Sequence, residues 1–201
     1  MKTHKSHNLR KRAGITCKSL LALFLFAVSG SFEVAHAQST SLVSINHTGA
    51  NSGNLDSNTR GSFDRASSDD GRFVAFDSNA TDLVADKSNN FKSQVYVRDL
   101  RAGTTTLVSI NRAGAAGGNG NSGGAVMSAD GRFVAFSSDA NDLVANDTNG
   151  GTDVFVRDLQ AGTTTLVSVN RAGTDSGRGI TPEPGLLSFY PVMSADGRWS
   201  F

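Results

Sequence analysis

Hydrophobic positions in this chain of 201 residues fall into one dense apolar run near the start and then short clusters separated by stretches rich in Gly, Ser, Asn and Thr. The clusters recur in a fixed order. Asp-Gly-Arg-Phe-Val-Ala-Phe stands at 70–76 and again at 130–136, and Asp-Gly-Arg-Trp begins the block a third time at 196–199. Val-Tyr-Val-Arg-Asp-Leu at 95–100 returns as Val-Phe-Val-Arg-Asp-Leu at 154–159. Ala-Gly-Thr-Thr-Thr-Leu-Val-Ser at 102–109 returns at 161–168, and Leu-Val-Ser-Ile-Asn already occurs at 42–46. Gly71 and Gly131 are 60 residues apart, Val95 and Val154 59, and Gly131 and Gly197 66.

Each block predicts a strand. Phe-Val-Ala-Phe is apolar at every position, the pattern of a strand covered on both faces, and the Asp-Gly before it is a tight-turn signal. Val154-Phe155-Val156 is β-branched and aromatic, 104–110 is similarly strand-prone, and Ala-Gly-Thr between these blocks predicts a hairpin turn. A fourth short strand is expected at 137–144, with Leu143 and Val144 as its apolar contacts. The Gly-rich stretch 114–124 reads as a flexible connection between repeats. No stretch after residue 37 shows the three-to-four spacing of a helix.

Three or four short antiparallel strands per repeat predict an all-β fold of β-propeller blades, because a lone twisted sheet leaves apolar faces that stacking covers. A β-sandwich or β-solenoid also uses such strands. The segments are 1–37, a signal peptide; 38–62, an N-terminal strand and linker; 63–125 and 126–191, two repeats; and 192–201, the start of a third. A ring needs at least about four blades. The expectation is therefore an incomplete ring of about two blades, with the 42–46 strand fastening a closing blade.

The dense apolar run changes the picture of location. Lys2, Lys5, Arg10, Lys11, Arg12 and Lys18 precede the apolar residues 20–28, and no acid lies among them. That run is shorter than the ~20 residues a spanning anchor needs, and Ala35-His36-Ala37 supplies a small-x-small cleavage pattern. Export with cleavage before Gln38 is expected, with only transient membrane contact. Cys17 precedes the apolar run, so it cannot carry a lipoprotein anchor and leaves with the signal.

Cleavage also reverses the charge. Residues 1–37 hold six of the 19 Lys+Arg and one of the 18 Asp+Glu, leaving 13 against 17, a formal charge of −4. No basic stripe remains for a phosphate backbone, which argues against nucleic acid as a partner. No cysteine remains either, so the expected periplasmic or extracellular protein is stabilised without disulfides.

Candidate chemistry is sparse. Asp147, Asn149 and Asp153, with Asp142 nearby, concentrate oxygen atoms in a Gly-containing loop, the donor type Ca²⁺ selects. The same residue types also close turns through their own side chains, and repeat 1 places Lys87 and Gln94 at the matching positions. No other cofactor is expected. Arg157-Asp158, matched by Arg98-Asp99, reads as an ion pair closing a strand end. Only His47 survives cleavage, no Gly-Lys-Ser/Thr phosphate loop or zinc cluster occurs, and no enzymatic activity is expected.

Ser-Ala-Asp-Gly-Arg-Phe-Val-Ala-Phe-Ser-Ser-Asp-Ala-Asn-Asp-Leu-Val at 128–144, followed by Asn-Asp-Thr-Asn-Gly-Gly-Thr-Asp-Val-Phe-Val-Arg-Asp-Leu at 146–159, resembles the WD-repeat-like blade of TolB-like β-propellers. The resemblance covers 63–199. It implies an exported, largely bacterial propeller that often serves as a binding scaffold, and it implies no single reaction. Repeat 1 departs from it at 87–94. The expected function is a scaffold for a protein or an extracellular polymer. The alternatives are the N-terminal propeller of a larger secreted enzyme, such as a serine peptidase, and a calcium-stabilised surface repeat protein.

Overall fold

The computed structural model describes residues 40–59, 65–85, 91–177 and 191–200. The expected signal peptide at 1–37, with Cys17, and the part of the repeat 1 loop around Lys87 lie outside the described residues. Those residues form an all-β structure with no helix.

Two four-stranded antiparallel sheets are built from consecutive strands. The first orders β1 (Ser57–Asn58), β2 (Phe73–Ser78), β3 (Gln94–Asp99) and β4 (Thr104–Leu107), and the second orders β5 (Ser122–Met127), β6 (Phe133–Ser138), β7 (Asp153–Asp158) and β8 (Thr163–Leu166). The internal registers repeat: Phe76 pairs with Tyr96 and Tyr96 with Leu107, as Phe136 pairs with Phe155 and Phe155 with Leu166. A third unit begins with β9 (Val192–Met193) and β10 (Trp199–Ser200).

Alternation along the central strands explains why the sheets stack. Val95 and Val97 face one side of the first sheet and join Met127, Val134, Phe136, Leu143 and Phe155 of the second in one buried cluster. Tyr96 faces the other way, where Phe76, Leu83 and Leu107 pack against Val43 of the N-terminal segment. In the second sheet Val154, Val156 and Val167 turn to the face that Met193 of β9 covers. Both faces of each sheet are thus apolar, as the Phe-Val-Ala-Phe pattern requires. Full burial of each such side chain contributes roughly 1.5–3 kcal/mol.

Four expectations fail. The fourth strand is β5, before the Asp-Gly block, and residues 139–144 form bends in which Leu143 is buried. The Gly-rich stretch is no flexible connector: β5 starts within it, and Gly118 and Gly120 pack so closely on Ala140, Leu143 and the Asp139 backbone that a Cβ has no room. The third block stays extended only to Leu107, because Ser109 turns its hydroxyl inward onto the amide of Val95. Residues 42–46 likewise hold only a single bridge, Ile45 to Ser52.

Each sheet has two unlike ends. The turn end carries the Asp-Gly-Arg turn and the Ala-Gly-Thr hairpin. The loop end carries 79–85, 91–93 and 108–121 in the first repeat and 139–152 and 167–177 in the second.

At the turn end Ser68 donates its hydroxyl to Asp70 at 2.6 Å while Asp70 accepts the Arg72 amide at 3.0 Å, and Ser128, Asp130 and Arg132 repeat both distances. The chain reverses at Gly71 and Gly131, whose φ of 67° and 74° lies in the left-handed region open to glycine. Successive turns are bonded to one another. The Asp69 amide donates to the Ala129 carbonyl at 2.9 Å, and the Ala129 amide to the Ala195 carbonyl at 3.0 Å.

Candidate metal centre

The loop end of the second sheet holds the acids singled out from sequence. Asp153 opens β7 and faces inward at 2 % exposure, and Asp147 lies in the preceding loop at 6 %. The Ser168 hydroxyl donates to Asp153 Oδ1 at 2.5 Å while accepting the Val154 amide at 3.0 Å. Asp153 Oδ2 and both carboxylate oxygens of Asp147 are buried with no hydrogen-bond partner in the protein. A buried polar atom without a partner costs about 1–3 kcal/mol, and more when charged.

Electrostatics follow from that packing. Burial pushes the Asp147 carboxyl up to about 6; repulsion from Asp153, its close side-chain contact with the same carboxyl, and then repulsion from Asp175 add to it. The Ser176 hydroxyl opposes the shift, from beyond hydrogen-bond geometry. Among the described residues no three His, Cys, Asp or Glu side chains converge as a metal-binding group. Two facing carboxylates are the unit the fold assembles.

Asn149 does a different job. Its Oδ1 accepts the Gly151 amide at 2.6 Å and its Nδ2 donates to the Gly177 carbonyl at 2.7 Å, so its side chain closes the turn. Asp142 is also engaged elsewhere: it accepts the Asn119 amide at 3.0 Å, as Asp82 accepts that of Asn54 at 2.9 Å.

Repeat 1 shows what this position does without an acid. Gln94, fully buried, accepts the Ser109 hydroxyl at 2.6 Å and donates its amide to the carbonyls of Gly118 at 2.9 Å and Gly120 at 3.2 Å. Gly118 of repeat 1 corresponds to Gly177 of repeat 2. One carbonyl served by Gln94 is therefore served by Asn149 in repeat 2, and the acceptor Asp153 Oδ2 that replaces the amide has no donor.

The Arg-Asp dipeptides split rather than pair. Asp158 takes Arg132 in a two-pronged ion pair at 2.7–3.1 Å, as Asp99 takes Arg72 at 2.6–3.1 Å. These arginines hold the Asp99 and Asp158 carboxyls down at about 2. Arg157 donates to Thr164 at 3.0 Å, and burial pushes its guanidinium below the usual range. It lines a groove of about 390 Å³ under the 110–114 turn of the preceding repeat. Sequence reading missed the Asp-Gly-Arg partner because the pair joins strands 26 residues apart. The shared recurrence of Arg132 and Asp158 with Arg72 and Asp99 was the available signal.

No protein-family profile matches the chain. No curated protein matches it either. Among solved structures, TolB from Acinetobacter baumannii matches with 17% sequence identity and a TM-score of 0.32, over 50% of this chain and 19% of that one. The chain thus spans about a fifth of the length of that structure.

Proposed function

We propose that this chain is an exported binding scaffold whose sheets are successive β-propeller blades, and whose loop end grips a protein or an extracellular polymer. The observation that supports it most is the division between the two ends. At the turn end the repeats differ at Asp69/Ala129 and Arg101/Gln160, and the Ser-Asp, Asp-Arg and Arg-Asp hydrogen bonds that shape the turn all recur. In the sequence between the second and third strands of each repeat they differ in length and charge, 86–93 with eight residues and net +1 against 146–152 with seven and net −1. A constant frame with divergent loops is the arrangement by which rigid scaffolds present binding residues. The bonded turns support stacking about an axis, since the same contact joins the first sheet to the second and the second to the third.

Exchange of the loop tests this reading. The full chain, and a chain in which 146–152 is replaced by the sequence of 86–93, are compared for binding to isolated peptidoglycan, to secreted polysaccharide and to the cell-envelope protein fraction. The reading expects the loop exchange to abolish the binding seen, and Arg101→Gln at the turn end to leave it intact. Binding that survives the exchange and is lost in Arg101→Gln contradicts it.

A further inference from the structure

The geometry points to a Ca²⁺ site in the second repeat, held by the carboxylates of Asp147 and Asp153, at the place where the first repeat carries the side-chain amide of Gln94. The inference does not rest on the scaffold reading above, and it would stand for any partner.

Three buried oxygens carry the argument. Asp147 Oδ1, Asp147 Oδ2 and Asp153 Oδ2 are closed off from solvent and make no hydrogen bond of good geometry within the protein. A carboxylate in that state is expensive unless it takes a proton or a cation. The donor set contains oxygen alone, which selects hard cations and disfavours Zn²⁺. Ca²⁺ suits it better than Mg²⁺, because Ca²⁺ accepts irregular coordination and sheds water readily, whereas Mg²⁺ keeps several waters that buried oxygens do not admit.

Comparison of the repeats supplies a second, independent line. The Gln94 amide in repeat 1 is a donor aimed at two backbone carbonyls. Replacement by an acid removes that donor, and the fold responds twice: Asn149 reaches the Gly177 carbonyl, and Asp147 appears where repeat 1 has Lys87. A second carboxylate thus stands beside the first. The half-buried Asp175, bonded to Thr148 at 2.8 Å, adds negative potential beside the pair.

Calorimetric titration of the full chain with CaCl₂, paired with thermal melts in CaCl₂ and in EDTA, tests the site. One binding event per chain is expected, with half-saturation at about 10⁻⁴–10⁻³ M, the range of extracellular calcium modules, and at least tenfold weaker binding of Mg²⁺. The melting temperature rises with Ca²⁺ concentration, since the ion binds the folded state. Asp147→Asn and Asp153→Gln each abolish the heat and the shift. Asp153→Gln, which imports the residue of repeat 1, melts no lower than the wild type in EDTA. Asp147→Asn keeps the side-chain shape and decides the matter if Asp153→Gln does not fold. A wild type without heat or shift at ~10 mM Ca²⁺, well above the expected range, overturns the site, and so does a folded variant that responds like the wild type.

Discussion

The ring of Phe73 in the first sheet lies against the backbone of Gly131 in the second, and Phe133 lies in the same way against Gly197 of the third. Arg72 covers Phe73 at 4.6 Å from its centroid and holds Asp99 with its other edge, and Arg132 covers Phe133 at 4.7 Å and holds Asp158. An arginine, its ion pair, an aromatic ring and the glycine of the next turn therefore form one unit that links sheet to sheet. Gly131→Ala strikes this unit twice, through its φ of 74° and through the Phe73 ring. Gly71→Ala meets only the backbone cost, because nothing lies within 4 Å of the added methyl. We expect a loss of about 1–2 kcal/mol for Gly71→Ala and about 2–5 kcal/mol for Gly131→Ala in urea denaturation. Adding Phe73→Ala to Gly131→Ala should relieve the excess, and simple additivity would count against the contact.

Acid should undo the ion pairs in a defined window. The Asp99 and Asp158 carboxyls are lowered from 3.8 to about 2 by their arginines, so the folded state binds fewer protons than the unfolded chain. Their contribution is complete above about pH 4 and is lost as the pH falls towards 2. Asp158→Asn should therefore be less stable than the wild type at pH 6, with the gap closing between pH 4 and pH 2 in denaturant titrations. A gap independent of pH would show that the pair contributes packing and no charge interaction.

Gln94 supplies a test on the first repeat. Gln94→Glu keeps the size of the side chain but faces a carboxylate towards the carbonyls of Gly118 and Gly120. About 3 kcal/mol of stability should be lost near neutral pH, from a buried charge and two orphaned acceptors. Chemical denaturation measures it, and a change below about 1 kcal/mol would show that this amide is replaceable by water.

The proposed export would leave a chain-end signature. Intact-mass analysis of the exported product should give a chain starting at Gln38, without Cys17. A product that retains residues 1–37 would show that the 35–37 site is not cleaved.

The strands that recur as whole blocks were legible in the sequence, since the β-branched and aromatic residues of β2, β3, β6 and β7 repeat with their turns. β5 was not, because Ser122, Gly123 and Gly124 carry loop composition. Its pairing is long-range too, since Gly123 stands beside Asp77 of the first sheet, an approach that no local propensity encodes. The repeated Val-Met of 126–127 and 192–193, just before Ser-Ala-Asp-Gly, was the signal for it. At the candidate site the sequence named Asp147, Asn149 and Asp153 together, and the fold sets the two aspartates beside each other. The sequence could not show Asn149 closing the turn, because that role depends on a carbonyl 28 residues away.

The amides of Asp69 and Ala129 report most directly on whether successive sheets form one stacked frame, because each donates across a sheet boundary. Native-state hydrogen exchange on the full chain should find both protected to the level of Val97 and Val156 inside the central strands. Exchange of both at the rate of an unstructured chain, with Val97 and Val156 still protected, would mean that the sheets fold separately and that the stacked frame is wrong.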